Sequence, residues 1–455
     1  MKKSMFCILV ILLFSTLGAG TLLKIHSADI LKQNQIGGKT IYGNVDIEYD
    51  IYRVKCDSAV INKDMTYARL FRNIQFSDTS RTIRCKSATL SKTPNGNMAY
   101  LMGDIRITEK DFYITGKEAS MNEITDRVSV SDSVIVKYFK FPSALYCKQL
   151  ELSTGEEIVS SESVDSVHYI DSLRYYKLFT RSFSYDLKKE KLVFETKFDL
   201  EAHEFSEPYL KFRQTDPAKI LSVIKKLKIV KDGYFSANRG TFIFDSVDIE
   251  TTGKCSFRQY DREKADTLLF NSDRIIYSEK AQKGDAVGNV MIRQDKMTIE
   301  TKHASYYQLD EIVKFLDKPV VTYDNNTITG DSIELKIGKK DFYPETAVIY
   351  GNPVFRSKPE PDFPDEINIL KGKLMNLWFS GKDISKIIVS KEAEGVYFIR
   401  KERSKTSEAS NYLLGDEMVI NLIDGKIDNA SIKGGCEGVY YPDKMKKEAL
   451  KPKKK

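Results

Sequence analysis

Apolar and polar residues alternate along much of the chain in short runs, each following a turn-forming Gly, Asn or Asp. The clearest are Gly43-Asn44-Val45-Asp46-Ile47, Arg72-Asn73-Ile74-Gln75-Phe76, Gly103-Asp104-Ile105-Arg106-Ile107 and Asp132-Ser133-Val134-Ile135-Val136. A period of two marks a strand with one buried and one wet face. Val45, Ile47, Ile74, Phe76, Ile105, Ile107, Val134 and Val136 are therefore expected to point inward, and Asp46, Glu48, Gln75 and Arg106 outward.

Between these runs lies a second pattern: a small residue or Cys, a polar residue, any residue, then Ala or another apolar residue. It reads Ala28-Asp29-Ile30-Leu31, Cys56-Asp57-Ser58-Ala59, Cys85-Lys86-Ser87-Ala88, Gly116-Lys117-Glu118-Ala119 and Cys147-Lys148-Gln149-Leu150, in steps of 28, 29, 31 and 31 residues. Both patterns return later. Ser272-Asp273-Arg274-Ile275, Thr301-Lys302-His303-Ala304 and Gly330-Asp331-Ser332-Ile333 are spaced by 29 and 29 and interleave with Gly288-Asn289-Val290, Asp317-Lys318-Pro319-Val320 and Gly351-Asn352-Pro353-Val354. A third block matches Glu394-Gly395-Val396-Tyr397 to Glu437-Gly438-Val439-Tyr440 at a distance of 43. A fixed period of this kind signals a repeat architecture.

Turn signals at Asp50, Asn62-Lys63-Asp64, Ser77-Asp78, Pro94-Asn95-Gly96, Glu109-Lys110-Asp111 and Asn122-Glu123 divide each unit into two long strands of an antiparallel meander. Each strand is interrupted midway by Gly, Asn or a small residue, where strands bend or bulge. The strand is expected to fold over, so that stacked copies build two facing sheets. The fold class is all-β, repetitive and antiparallel. One short helix is predicted in a connecting segment, opened by Asp216 and Pro217 and running through Ile220, Leu221, Val223, Ile224 and Leu227.

Charge and composition narrow the function. The formal net charge is +7, but Pro442 to Lys455 carries seven Lys against Asp443 and Glu448, and Lys2 and Lys3 supply the rest. The remainder is near neutral, which argues against a nucleic-acid platform. The tail is expected to be a solvated disordered end, with binding to anionic headgroups as the alternative. Lys2 and Lys3, an apolar run from Met5 to Leu17 and small residues around Gly20 read as a secretory signal, with a retained membrane anchor as the competing reading. The six cysteines form no C-x-x-C pair and no zinc spacing, and those of the body read as small buried side chains. The four His do not cluster, and Gly37-Gly38-Lys39-Thr40 lacks the first glycine of a phosphate loop. No catalytic residue, metal ligand or cofactor is expected.

The interleaved motifs resemble the OstA-like/LptA family of periplasmic lipopolysaccharide-transport proteins. The resemblance covers residues 26 to about 150 and 268 to about 357 well, 370 to 441 loosely and 155 to 265 poorly. It implies a folded-over β-jelly roll, a β-taco open along one seam, whose apolar interior shields the acyl chains of lipopolysaccharide (lipid A). Carried over by position, the inward residues named above, with Val290, Ile292, Val320 and Val354, would line that groove. The implied partners are an inner-membrane lipopolysaccharide transporter and an outer-membrane translocon, joined by β-strand addition, with end-to-end self-association as a further expectation. The organisation expected is a signal over 1–20, a module over 26–154, an irregular β/helix segment over 155–265 that is either a connection or an irregular part of the same sheet stack, a second module over 266–357, a Pro-rich linker over 358–369, a shorter module over 370–441 and the basic tail over 442–455. Two other classes stay open. One is a structural or adhesive envelope protein whose core is filled by its own side chains. The other is a polysaccharide-acting β-solenoid enzyme, because Asp57, Asp273, Asp331 and Asp416 share one repeat position, although Lys86, Lys117, Lys148 and Lys302 occupy it too.

Overall fold

The computed structural model describes residues 23–451 except 50–51, 80, 94–95, 110–111, 123, 126, 139–142, 154, 171–172, 207–227, 244–245, 325, 339–342, 358–365, 400–406 and 424–425. The signal over 1–20, the helix expected over 216–227 and the prolines of 358–364 lie outside the described residues. The rest is strand and turn with one 3-10 helix, and the strand pairs are antiparallel. Two compact units result, one reaching Thr251 and including Tyr260–Lys264, the other made of Thr252–Gln259 with everything from Ala265.

In the first unit, β1 (Lys24–Ser27) and β2 (Ile30–Gln33) are followed by eight long strands: β3 (Lys39–Tyr49), β4 (Tyr52–Ile61), β5 (Tyr67–Ser77), β6 (Arg81–Thr93), β7 (Gly96–Glu109), β8 (Phe112–Asn122), β9 (Arg127–Tyr138) and β10 (Ser143–Ser153). Each pairs with the next, as the meander requires. The strands fold because of a bulge in mid-strand. In β3, Tyr42 faces Ser58 and Val45 faces Cys56, so Gly43 and Asn44 stand opposite Asp57 alone. Two residues against one is the bulge count, and it turns the strand sharply.

Both bulge residues are left-handed. Consecutive positive φ angles recur at Gly43-Asn44, Arg72-Asn73, Gly103-Asp104, Asp132-Ser133, Gly288-Asn289, Asp317-Lys318, Gly351-Asn352 and Lys391-Glu392, among others. Glycine adopts this region without penalty, and Asn and Asp tolerate it through local hydrogen bonds, which is why the sequence repeats those residues there. At Gly288, with φ +75°, a side chain would also collide with Asp273, whose Oδ2 lies 2.4 Å from the position a Cβ would take.

Every bend splits a strand between two layers. Layer A holds the halves carrying Val45, Ile74, Ile105 and Val134; layer B holds those carrying Ala59, Ala88 and Ala119. Residues 158–243 keep the two layers with shorter strands. Ile158–Ser161, Phe183–Asp186, Lys191–Phe194 and Arg239–Ile243 extend layer B, whereas Val164–Ile170, Arg174–Thr180, Phe198–Phe205 and Ile229–Ala237 extend layer A. Here the bend is a full break, at Glu162-Ser163 and Arg181-Ser182 for example.

The second unit repeats the plan with Asp266–Ser278, Lys283–Gln294 and Met297–Tyr307 as long bent strands. Its layer A continues through Val320–Tyr323, Asn326–Thr329, Val354–Ser357 and Asn368–Lys371, its layer B through Ile312–Leu316, Ser332–Ile337, Pro344–Tyr350 and Leu374–Ser380. The strands either side of the Pro-rich segment pair directly, Ser357 opposite Asn368, so the expected linker interrupts no sheet. Asp383–Ile399 and Ala409–Ile423 cross both layers before Lys426–Lys433 and Glu437–Pro442 end them.

The basic tail departs from expectation over 443–451, and its last four residues, 452–455, lie outside the described residues. Asp443–Leu450 forms a 3-10 helix held on the sheet, with Ala449 and Tyr441 buried beside Val396 and Phe398. Lys446 is spent there, 3.2 Å from Glu366 and 3.1 Å from Asp443, and it donates to the Ser407 carbonyl. Fixed ion pairs and an apolar anchor order what charge alone suggested was solvated.

The small-residue column sits where a bent strand presses on its neighbour. At Gly330 a Cβ would fall 2.4 Å from Ile349 Cγ2 and 2.9 Å from the Tyr350 carbonyl. Gly330→Val is expected to destabilise the protein by roughly 1–3 kcal/mol in urea unfolding through overpacking, while Lys302→Ala in the same unit changes stability by less than about 0.5 kcal/mol. Equal midpoints for the two variants would refute the close approach.

Candidate apolar groove

Two walls face each other in each unit. In the first, Val45, Ile47, Ile74, Phe76, Ile105, Ile107, Val134 and Val136 are all buried on layer A, and the inward set expected for this unit stands on one wall. The opposite wall is the face the sequence reading did not name. Ala59, Ile61, Ala88, Leu90, Ala119 and Met121 are buried on layer B. The alternation running on from each motif alanine, as in Ala88-Thr89-Leu90, was its signal.

In the second unit Val290 is buried and Ile292 is partly buried against the core, as expected. Val320 and Val354 correct the expectation. Val320 is 36% exposed, and its neighbour Val321 is the inward residue at 8%. The left-handed pair Asp317-Lys318 is followed by buried Pro319, which takes the place Val45 has after Gly43-Asn44. Likewise Pro353 follows Gly351-Asn352 and is buried, so Val354 is only half-buried and Phe355 points in. A slip of one residue moves a strand's side chains to the opposite face.

Near the bend the walls touch, and toward the free ends of the layers they part. In the first unit a partly open slot with a free volume of about 30 Å³ lies between Tyr52, Phe76 and Ile107 on layer A and Leu101, Met121 and Val128 on layer B. In the second, a slot of similar free volume, about 30 Å³, lies between Met297, Ile299 and Val321 on layer A and Phe315, Leu377 and Ile384 on layer B. Both are narrow, and both expose only apolar surface. The small side chains of Ala99 and Ala119 in one slot and Ala347 in the other leave space that larger residues would fill. Of the residues expected in the groove, Phe76 and Ile107 line a slot; the other inward ones lie in the packed body.

The alternating Asp and Lys column stands at the bend, against the bulges. Asn44 donates to Asp29 at 3.0 Å, Asn73 to Asp57 at 2.9 Å and Asn289 to Asp273 at 2.8 Å. Where the column holds Lys the bulge holds Asp: Lys86 is 2.6 Å from Asp104 and Lys117 is 2.7 Å from Asp132. The hydrogen bond from Lys86 holds the Asp104 carboxyl below its usual range, and that from Lys117 to Asp132 raises the lysine. At these five places the column joins a bend to the preceding strand of the repeat.

On the face of layer A opposite Val136 a polar ladder crosses four strands. His168 shares hydrogen bonds with Ser166 at 2.8 Å and Tyr175 at 2.6 Å, and His203 with Asp232 at 2.7 Å, which also accepts from Arg262 at 2.6 Å. Burial, then the charge of Lys177, pushes the His168 pKa down, so the ring is neutral at physiological pH. Its members satisfy one another along the strand pairs.

No family model and no curated protein matches this chain. Among solved structures, the chain is similar to LptH, described as the LptA homologous periplasmic component of the conserved lipopolysaccharide transport device from Pseudomonas aeruginosa. The two are 15% identical with a TM-score of 0.24, over 32% of this chain and 95% of that one.

Two outcomes check this geometry. Val321→Asp places a carboxylate in the slot wall and is expected to cost several kcal/mol or prevent folding, whereas Val320→Asp costs less than about 1 kcal/mol; thermal unfolding of the pair reads the register. Burial raises the thiols of Cys56 and Cys147 to about 11 and of Cys85 to about 12. None of the five described cysteines is in a disulfide and among them only Cys436 is exposed, so iodoacetamide should alkylate Cys436 in the folded protein and the buried thiols only after unfolding. A Cys56 to Cys85 disulfide would contradict the meander, in which a whole strand separates them.

Proposed function

We propose that this chain is a non-catalytic carrier of acylated lipid in the bacterial envelope, of the lipopolysaccharide-transport type, with the periplasm as its site of action. The observation that carries the reading is the same in both units: an apolar slot between two bent layers, opening on the side away from the bend. Each methylene taken from water to such a surface is worth about 0.8 kcal/mol, so a groove of aliphatic walls suffices to hold acyl chains outside a membrane. The absence of exposed polar surface in the slots suits binding that is non-directional and reversible.

The sheet edges suit hand-over. In the first unit Ile30 and Leu31 of β2 are half exposed, and in the second Ile427, Val439 and Tyr440 stand on the last strands. Open edges of this kind are docking sites for strand addition. An inner-membrane lipopolysaccharide transporter and an outer-membrane translocon are the partners this reading calls for, and a second copy of the chain meets the same chemistry. The competing reading, a structural envelope protein with a filled core, draws on the inner side chains near the bend, which are almost fully buried.

Photo-crosslinking in cells separates the two. With a photoreactive residue at Phe76, Ile107 or Met121, lipopolysaccharide adducts are expected, and none with it at Gln75 or Arg106 on the other face. Folded, exported protein that gives no lipid adduct at any inward position would leave the filled-core reading standing.

A further inference from the structure

In the second unit the free ends of the two layers are tied to each other by polar groups. Three contacts cross the seam. Tyr323, at the end of a layer A strand, donates its hydroxyl to the backbone carbonyl of Lys382 in a layer B turn and lies 3.3 Å from Asp383 Oδ1. Lys382 Nζ in turn reaches back to Asp295 Oδ2 of layer A at 3.0 Å. Tyr343, beside the layer B strand Pro344–Tyr350, donates to Asp266 Oδ2 at 3.1 Å, which also accepts from Gln294 at 3.0 Å. The Lys382 ammonium lies 5.1 Å from the centre of the Tyr343 ring, which joins the three contacts into one cluster.

The cluster stands over the slot. Tyr323 is itself a wall residue, Met297 follows Asp295 by two positions, and Phe379 and Ile384 flank the Lys382 turn. A chain entering between the layers at this point of the seam would pass between Tyr323 and Lys382. The cluster is also built to part. Lys382 and Asp295 keep nearly half of their side-chain surface in water, so separated groups are rehydrated, and a surface pair of this kind is weak and screened by salt.

We propose that Asp266, Asp295, Tyr323, Tyr343 and Lys382 form a latch that holds the seam of the second unit shut when empty, and that an acyl chain enters this unit only as the latch parts. The proposal rests on the lipid-carrying reading above. It adds that the second slot is gated at its seam, and that a lipid with an anionic headgroup eases opening by giving Lys382 a replacement for Asp295.

The test uses full-length protein and pyrene-labelled lysophosphatidic acid, with photoreactive benzoylphenylalanine at Phe379 to report the second slot or at Phe76 to report the first. Lys382→Ala and Tyr323→Phe are each expected to speed labelling at Phe379 about fivefold, the factor that loss of one surface contact supplies, and to leave labelling at Phe76 unchanged. Asp295→Cys with Lys382→Cys, in a Cys7→Ser and Cys436→Ser background and bridged by a short bismaleimide, should abolish labelling at Phe379 while Phe76 is still labelled. Labelling at Phe379 that neither loosening nor bridging alters would overturn the latch and leave the carrier reading intact. No labelling at either position would overturn the carrier reading and the latch with it.

Discussion

The paired left-handed residues in the middle of the long strands are the constraint on which the rest depends. A strand that ran straight would give one flat sheet with a wet and a dry face, and the dry face would need a second element to cover it. Two consecutive positive φ angles fold the strand back on itself, so each strand covers its own apolar face. The distortion is local, costing about 1–2 kcal/mol for each residue other than Gly that is held there. Arg72, Lys318, Lys391 and Glu392 carry that cost without glycine, and packing of both layers offsets it. The column of Asp and Lys that meets Asn and Asp across neighbouring strands secures the bend from strand to strand.

From this one device follow the properties that bear on function. Folding every strand at the same place leaves the free ends aligned on the opposite side, and that alignment is the seam. Packing is tightest beside the bend, where the small-residue column brings backbones together, and loosest at the seam, where the apolar slots lie. Access to the interior is consequently governed by side chains at the turns, far from the repeat motif. In the second unit a small cluster of polar side chains ties the two layers across the seam.

Much of this was legible in the sequence where the repeat is written in glycine, asparagine and alternating apolar residues. The inward face of layer A in the first unit followed from alternation, and the mid-strand bend from Gly43-Asn44 and Gly103-Asp104. Reading failed where another residue fills a motif position. Pro319 and Pro353 occupy the first inward place after the bulge, and the valines behind them looked like the motif's own. Over 158–243 it left a connection and an irregular part of the same sheets as alternatives, because each bend there is a break without the glycine signature and the half-strands are too short for a clear period; the pairings show the sheets continuing. The latch was invisible for a different reason: Asp295 and Lys382 are 87 residues apart, and nothing local to either marks the pairing. The opposite wall of the groove was within reach, because each motif alanine begins an alternating run of its own.

The central claim is that the space between the layers holds acyl chains. Its most direct test is to purify the protein without detergent from Gram-negative cells, extract it with organic solvent and identify the released material by mass spectrometry, before and after incubation with lipopolysaccharide. A stoichiometric amount of acylated lipid, displaced when Met121 and Val321 are replaced by Trp to fill the slots, is the result this account predicts. Well-folded protein that carries no lipid and takes up none when it is offered would contradict it.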